Sequence, residues 1–343
     1  MIKQSILSFK LETTHDLITS HAGLILLGEF AIGMGIKRYL DKDLPGPGSG
    51  TGYKVSEHIF PLIIMLNGGG RALEDIREIR RDMGLRELLG LNEIPSTDAT
   101  GKWLHRAGEN GALEGLAKVN RRLLKKALKK DKYRGYTLDI DATGIEAHKQ
   151  EAKMTYKGYK GYMPIVGHLA ENGLIVGEEF REGNESPASR NLEFLKYCEK
   201  QLPKGKKIKA FRADSASYQA KIINYCQSKG IKFAIGADMD KAVVEVIKGI
   251  KNWRPYQNNG YIADTIHCMN KTDQAFRLIV IRRPYQRKLI GKEDSADKYI
   301  AIATNMEDRA EDVIRWYNQR GEYSENRIKE LRFWYGKDAL WEV

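Results

Sequence analysis

The sequence predicts an α/β protein with a mixed sheet, flanking helices, an N-terminal helical domain and a β-rich insertion. Residues 1–132 carry apolar residues at helical spacing between Gly-rich breaks. Residues 133–237 place three strand-like segments before alternating helices and strands, which predicts a mixed sheet with helices packed on it. Residues 238–306 interrupt that alternation with short strand-like pieces, and residues 307–343 return to helical spacing and complete the core.

The composition favours a polyanionic partner over a membrane or a disulfide framework. The 343 residues include 57 Lys and Arg against 45 Asp and Glu, a formal net charge of +12. Such a charge favours nucleic acid, although a merely basic soluble protein is the plain alternative. The three cysteines are scattered. The most apolar runs, "GLILLGEFAIGMGI" and "HIFPLIIML", are shorter than the roughly 20 residues of a membrane span and predict buried helices. We therefore expect a cytoplasmic protein with no membrane association.

Within the N-terminal domain, two short helices joined by a turn are expected around residue 90. The segment "ALEDIREIRRDMGLRELLGL" carries Leu73 and Ile76 at helical spacing. In "IPSTDATGKWLHR", which follows, Ser96 is a suitable N-cap and Trp103 is expected to face inward. The arrangement suggests a DNA-binding helix-turn-helix, although ordinary helical bundles show the same pattern.

A strongly basic segment, "NRRLLKKALKKDKYRGY", ends the domain. As a helix it would present a cationic face beside its leucines, and a solvated surface is the ordinary interpretation of such a face. Its position directly before an acidic strand favours contact with DNA phosphates. The residues predicted to bind DNA here are Arg121, Arg122, Lys125, Lys126 and Lys129.

The strand-like segments that follow bring acidic residues to the edge of a sheet. The first, "RGYTLDIDAT", puts Asp139 and Asp141 on one face and Leu138 and Ile140 on the other, because strand side chains alternate. The second and third, "GYMPIVGHLA" and "GLIVGEEFRE", are joined by an "ENG" turn. The fourth, "KKIKAFRAD", ends in Asp214, and the fifth is "IKFAIGA". In this order the first and fourth strands can be neighbours, so Asp141 and Asp214 can meet.

Carboxylates on a buried face need a cation, which an arginine or a metal ion can supply. For a single acid, pairing with an arginine such as Arg212 is the favoured interpretation. The pair Asp139 and Asp141 together with Asp214 favours Mg²⁺ or Mn²⁺, hard cations that prefer carboxylate oxygens. Such ions activate water and stabilise the leaving oxygen of a phosphodiester.

These residues resemble the DDE transposases of bacterial insertion sequences, which have an RNase-H-like core. Within them the chain is most similar to the IS-four superfamily, in its thirteen-eighty branch. The matching stretches are "LDIDAT", "GYMPIVGHLAENGLIVGEEFREGN", "FRADSAS" and "WYNQRGEYSENRIKELR". The resemblance implies that Asp141, Asp214 and Glu325 form the catalytic, metal-binding triad, with Asp139 as the alternative first acid.

The resemblance also implies DNA contacts from the last helix. The superfamily's Y-x-x-R…E…K signature maps onto Tyr317, Arg320 and Glu325, with Arg332 at the basic position. Tyr317 and Arg320, three residues apart on a helix, could clamp a phosphate near the cut. This sequence departs from the signature in two ways: the spacing from Arg320 to Glu325 is one residue longer than usual, and Arg332 replaces a lysine.

A metal-dependent transposase is the activity that the resemblance implies. It would cut double-stranded DNA at terminal inverted repeats and join the freed end to target DNA, with a homodimer on DNA expected by analogy. One alternative is an RNase-H-like nuclease that acts in repair or resolution. The other is a truncated, catalytically inactive remnant that still binds DNA.

The remnant hypothesis comes from the last residues, "FWYGKDALWEV". Chains of this family run well past the helix that precedes them. Codons for "KDALWE", shifted by one base, can read Arg-Met-Pro-Cys-Gly, a string typical of the family immediately after that helix. A frameshift would explain the match, and coincidence is the alternative because codon degeneracy makes short matches easy to find.

Overall fold

The computed structural model describes residues 13, 15–48, 51–257, 259–289 and 292–321, with the backbone alone for 285–289 and 292–296. Glu325 and Arg332 lie outside the described residues. The chain divides into two compact units between Gly115 and Leu116. Every helix in the described ranges is too short or too polar to cross a bilayer.

The described part of the first unit is helical. Ser96 caps a helix as predicted, because its Oγ accepts a hydrogen bond from the N–H of Ala99 at 3.2 Å. The run "GLILLGEFAIGMGI" was predicted to be a buried helix; it is helical, but Leu26 and Phe30 are exposed, so the prediction of full burial was wrong. The helices are α1 (Ala22–Met34), α2 (Ile36–Asp43), α3 (Val55–Asn67), α4 (Ile76–Arg81), α5 (Met83–Leu88) and α6 (Thr97–Glu109).

The second unit alternates strands and helices. Helix α7 (Ala112–Ala127) begins at the end of the first unit and continues into the second. The next elements are β1 (Gly135–Ala142), β2 (Ile145–Glu146), β3 (Lys153–Met154), β4 (Lys160–Tyr162), β5 (Ile165–Leu169), β6 (Ile175–Glu179), α8 (Asn191–Gln201), β7 (Lys207–Ala213), α9 (Ala220–Lys229) and β8 (Lys232–Gly236). They are followed by α10 (Lys241–Lys248), β9 (Arg254–Tyr256), β10 (Gly260–His267), β11 (Phe276–Leu289), β12 (Lys292–Thr304) and helical residues 310–321, here called α11.

Nine of these strands form one sheet in the order β6-β5-β1-β7-β8-β12-β11-β10-β9. Strand β1 is parallel to β7, and β7 is parallel to β8, whereas β5 and β6 are antiparallel. The predicted adjacency of the first and fourth strands is therefore confirmed. Strand β12 pairs with β8, so the segment predicted as a β-rich insertion continues the same sheet and also contributes α10.

The two faces of the sheet differ in chemistry. One face is apolar along its length, with Leu138, Phe211 and Phe233 in a large buried cluster that α8 and α9 cover. The opposite face is apolar only around β8 to β10, where α11 packs through Val313 and Ile314. Across β5, β1 and β7 that second face carries charged and polar side chains instead. Side-chain alternation thus leaves half of one face for chemistry.

The predicted second strand, "GYMPIVGHLA", divides in two at Pro164, which has no N–H to give to a ladder. Its second half is β5 of the large sheet. Its first half is β4, the centre of a separate small sheet with the order β2-β4-β3. The small sheet was not expected from the sequence, and it immediately follows the acidic strand β1.

Candidate active site

Three buried polar side chains form a row across the charged half of the sheet. Asp139 on β1 lies opposite His168 on β5 and opposite Arg212 on β7 in the strand register. All three are buried, and Asp139 has no exposed surface. We call these residues the inner row, because they lie among the strands rather than at the strand ends.

The acid of the inner row is neutralised within the protein. Arg212 donates from Nε to Oδ1 of Asp139 and from Nη2 to Oδ2, both at 2.7 Å. This two-point geometry is the strongest arrangement of an arginine and a carboxylate. The Nε2 of His168 lies 3.6 Å from the second oxygen. The arginine that sequence reasoning named as a possible partner therefore pairs with Asp139.

Arg212 also connects the sheet to α11. Its Nη1 donates to the carbonyl oxygen of Trp316, and its guanidinium lies 4.9 Å from the centre of the Trp316 ring. One buried side chain therefore holds an acid on β1 and the backbone of the helix that carries Tyr317 and Arg320. Loss of Arg212 would leave Asp139 as an uncompensated buried charge.

Asp141 and Asp214 lie further along the same two strands, at their carboxyl ends, and form the outer row. Asp141 is two residues beyond Asp139, and Asp214 is two residues beyond Arg212, immediately after β7. Asp214 is extended and opens a short helical turn, where its Oδ1 accepts a hydrogen bond from the N–H of Ala216 at 3.2 Å. The structure thus brings together two of the acids predicted from the sequence.

The outer row is electrostatically incomplete. Burial raises the pKa of Asp141 to about 6; the positive charge of Arg320 opposes this shift, and the negative charge of Asp214 adds to it. The Nη1 of Arg320 lies 3.6 Å from the Oδ1 of Asp141, and the two side chains are 15% and 22% exposed. One arginine beside two carboxylates leaves a negative excess.

Tyr317 reaches the same site from α11. An added Cβ on Gly236 would lie 2.9 Å from the Tyr317 hydroxyl and 3.6 Å from the carbonyl carbon of Asp214, so the hydroxyl occupies space next to the Asp214 turn. Burial raises the pKa of Tyr317, Arg320 opposes that shift, and Asp214 and Asp141 add to it. Tyr317 and Arg320, predicted to face the same way, both reach the outer row.

A polar network holds the turn after Asp214. Asn191 donates from Nδ2 to the Oγ of Ser217 at 3.1 Å and to the carbonyl of Ala216 at 3.3 Å. The Oδ1 of Asn191 accepts from Nη1 of buried Arg181 at 3.1 Å. Sequence reasoning assigned no role to Arg181 or Asn191. Their position in "REGNESPASRN", between a strand and a helix, gave no sign that the loop folds back onto Asp214.

The basic helix α7 combines a buried edge with an exposed one. Leu124 and Leu128 belong to the core under the sheet. Arg121 donates from Nε to the Oε1 of Gln201 at 3.1 Å, so one of its N–H donors is used in a contact within the protein. Among the predicted DNA-binding residues of this helix, those with exposed side chains are Arg121, Lys125, Lys126 and Lys129, and Arg122 is half-buried.

The described residues contain no cluster of three or more side chains that could hold a metal ion. Asp141 and Asp214 are two carboxylates whose negative charge exceeds the positive charge beside them. Carboxylate oxygens of this kind are the ligands that a hard divalent cation prefers. Glu325, the third acid expected, lies outside the described residues. Asp139, the alternative first acid, already has its oxygens engaged by Arg212.

Comparison with known families gives a match over almost the whole chain. The model of the family described as Transposase DDE domain group 1 matches residues 5–339. That range contains both rows of the sheet and α11, and it also contains Glu325 and Arg332. A comparison with curated proteins gives no match.

Proposed function

This chain belongs to the family of the Transposase DDE domain group 1, and from that premise we propose that it cuts insertion-sequence ends and joins them to target DNA. The reactions would be metal-dependent phosphodiester hydrolysis and strand transfer. The observation that carries the proposal is the outer row, in which Asp141 and Asp214 meet at the ends of adjacent parallel strands. The order β6-β5-β1-β7-β8 supports an RNase-H-like core, and the quoted motifs support the thirteen-eighty branch of the IS-four superfamily.

We assign the first catalytic acid to Asp141 rather than to Asp139. A catalytic acid needs free oxygens, and both oxygens of Asp139 accept hydrogen bonds from Arg212. Asp139 also has no exposed surface, whereas Asp141 is 22% exposed at the strand end. The proposed triad is Asp141, Asp214 and Glu325.

These three acids would hold Mg²⁺ or Mn²⁺. The fit is supported by the raised pKa of Asp141, since burial and the charge of Asp214 make ionisation costly until a cation is present. When bound, such ions activate water and neutralise charge on the phosphodiester. The residues of this chain orient the carboxylates: β1 fixes Asp141, and the Ala216 N–H and the network of Asn191 fix the Asp214 turn.

Tyr317 and Arg320 would hold the phosphate next to the cut. The guanidinium of Arg320 has five N–H donors, which the contact with Asp141 at 3.6 Å and the interaction with Tyr317 do not exhaust. The remaining donors can take a phosphate oxygen pair in the two-point geometry that arginine favours. The Tyr317 hydroxyl, beside Asp214, can donate a further hydrogen bond.

Double-stranded DNA would reach this site through surfaces outside it. We propose residues 1–132 as the DNA-binding domain, 133–237 with 307–343 as the catalytic core, and 238–306 as the insertion. The exposed lysines and arginines of α7, together with Arg332, would contact phosphates of the inverted repeats and of target DNA. The active form would be a cytoplasmic homodimer on DNA, so that two ends are cut together.

Substitution of Asp214 tests the proposal. In Asp214→Asn the side-chain oxygen that caps the turn remains, but the charge is lost, so DNA cleavage should be abolished while DNA binding persists. The measurement uses DNA that carries the terminal inverted repeats flanking the reading frame, with separate assays of binding, cleavage and strand transfer. Cleavage without strand-transfer products would favour the nuclease alternative.

Asp240→Asn is the matched control. Asp240 is exposed and caps α10 by accepting from the N–H of Val243 at 2.8 Å, a role that Asn fills equally well. This variant should cut DNA like the unsubstituted chain. If Asp214→Asn also cut DNA normally, the assignment of the outer row would be wrong.

A further inference from the structure

The small sheet after β1 carries an exposed aromatic turn that the proposed function does not use. Strands β3 and β4 form a hairpin over residues 153–162, which we call the tyrosine–lysine hairpin. At its turn Tyr156 is 65% exposed, and the neighbouring Met154 is 55% exposed. The Nζ of Lys157 lies 5.6 Å from the centre of the Tyr156 ring. These two large apolar side chains and the lysine beside them are open to contact by a partner.

The turn is rigid although Tyr156 is not packed. Buried Thr155 makes the contacts that close it: its N–H donates to the carbonyl of Tyr159 at 2.7 Å, and its Oγ1 donates to the same oxygen at 2.8 Å. The N–H of Gly158 donates to the Thr155 carbonyl, and Gly158 has φ of 85°, a conformation that favours glycine. Tyr156 is therefore held in place by backbone bonds, and its side chain remains available.

The hairpin packs closely against Gly144 and Ile145, which follow β1. An added Cβ on Gly144 would lie 1.7 Å from the Tyr159 hydroxyl, so the tyrosine occupies the space where a side chain would otherwise be. An added Cβ on Gly161 would lie 2.0 Å from the carbonyl oxygen of Ile145. Since Gly144 is three residues beyond Asp141, their Cα atoms are at most about 11 Å apart. The hairpin thus packs, at Tyr159 and Gly161, against the segment that follows the outer-row acid Asp141.

The charge of the hairpin fits a nucleic-acid strand. Between residues 153 and 162 the chain has no acidic residue and three lysines, Lys153, Lys157 and Lys160, all exposed. Glu151 and Glu182 act on the opposite end, where burial and then their charges raise the pKa of Tyr162. The positive, aromatic end is the turn. Lysines that alternate with aromatic side chains are the recurring design of surfaces for unpaired nucleic acid.

We propose that the tyrosine–lysine hairpin binds the DNA strand beside the cut, with Tyr156 stacked on an unpaired base and the lysines on phosphates. This inference rests on the proposed function, because it supposes that the outer row cuts DNA. Stacking on a tyrosine is tolerant of sequence, so the hairpin would support any base that separates from the duplex at the cleavage point.

The test uses the full chain with Asp214→Asn, so that DNA is bound but not cut, and a frayed-end duplex that carries 2-aminopurine in its unpaired strand. Stacking on Tyr156 should quench the 2-aminopurine. Tyr156→Ala should remove the quenching and weaken binding about tenfold, whereas Tyr156→Phe should retain both. Because Tyr156 is exposed, neither change should alter the folded state.

Tyr133→Ala is the matched control. Tyr133 is also exposed, at 41%, and also has a lysine over its ring, with Lys132 at 5.1 Å, but it precedes β1 whereas the hairpin follows β1. It should bind and quench like the unsubstituted chain. Unchanged quenching in Tyr156→Ala, equal losses in Tyr133→Ala, or a change only in oligomeric state would overturn the inference. If the chain with Tyr156 intact bound no DNA, the proposed function would fail first, and the inference with it.

Discussion

The inner and outer rows share β1, β7 and one face of the sheet, and they lie two residues apart. They differ in how far the protein itself neutralises a buried negative charge. In the inner row Asp139 meets an arginine of its own chain and the charges cancel. In the outer row two acids, Asp141 and Asp214, share Arg320, and a negative excess remains. Compensation within the chain stabilises the fold, and on the proposed assignment the negative charge left uncompensated next to it is what a divalent cation would neutralise.

The largest effect is expected from removing the acid of the inner row. Asp139→Asn leaves Arg212 buried beside a neutral side chain, and we expect a loss of about 3–5 kcal/mol in the free energy of unfolding. Denaturant unfolding measures it. A loss below about 1 kcal/mol would mean that the pair is not the structural element that its geometry indicates.

Removing both partners provides the control for that prediction. Asp139→Leu with Arg212→Met eliminates both buried charges and should recover most of the lost stability. About 1–2 kcal/mol should remain lost, because the carbonyl of Trp316 loses its donor. A double variant as unstable as the single one would assign the damage to packing rather than to charge.

A second test asks whether α11 is fitted to the outer row. In Gly236→Ala the new Cβ would lie 2.9 Å from the Tyr317 hydroxyl, so the tyrosine must shift, at a cost of about 1–3 kcal/mol. Thermal unfolding and a cleavage assay would follow the change. Tyr317→Phe in the same background removes the clashing oxygen and should restore stability but not cleavage. Full cleavage in Gly236→Ala would contradict a fixed position for Tyr317.

A smaller effect is expected in the pH dependence of stability, which also distinguishes the outer row from the inner row. The pKa of Asp141 in the folded chain is about 6 against a usual value of 3.8. The folded chain therefore takes up this proton before the unfolded chain does, and ionisation costs stability as pH rises between those values. Asp141→Asn should raise the free energy of unfolding near neutral pH by at most about 3 kcal/mol, a limit that already includes the opposing charge of Arg320.

That gain should shrink as the pH falls below about 6 and disappear below 3.8, where Asp141 is protonated in the folded and the unfolded chain alike. Denaturant titrations of the two chains across this range, without divalent cations, provide the measurement. Parallel pH profiles would show that the pKa of Asp141 is not raised in the folded chain and that its ionisation does not lower the free energy of unfolding. Added Mg²⁺ should stabilise the unsubstituted chain more than Asp141→Asn.

The smallest effect should come from charges outside both rows. Lys125 is exposed on α7 and Lys129 is exposed on the helical turn that follows it, so Lys125→Gln with Lys129→Gln should leave stability within about 0.5 kcal/mol. DNA affinity should fall severalfold, and the slope of log affinity against log salt should decrease by about two. An unchanged slope would remove α7 from the proposed DNA surface.

Sequence reasoning could predict the outer row because the order of elements fixes which strand ends meet. The spacing of Asp139 and Asp141 placed both on one face, and the alternation after α8 placed β7 beside β1. It could not choose between the two acids, because that choice depends on the register of β1 against β7. Only the register shows that Arg212 stands opposite Asp139 and not opposite Asp141.

The tyrosine–lysine hairpin could not be predicted for a different reason. Its strands are two and three residues long, so they offer no measurable alternation. It packs through close approaches to the Tyr159 side chain at Gly144 and to backbone atoms at Gly161 and Gly183, which depend on segments that are distant in sequence. Pro164, which separates β4 from β5, was the one local sign of a break.

The contact between Arg212 and the Trp316 carbonyl also sets an order of events during synthesis. The two residues are 104 positions apart, which at about 5–20 residues per second corresponds to roughly ten seconds of translation. During that interval β1 and β7 can pair and both acids of the outer row exist, but Tyr317 and Arg320 do not. On the proposed assignment, a ribosome-bound chain carries the acids without the phosphate clamp. On that assignment the ability to cut DNA arrives only once residues 310–321 and Glu325 have been made, late in synthesis.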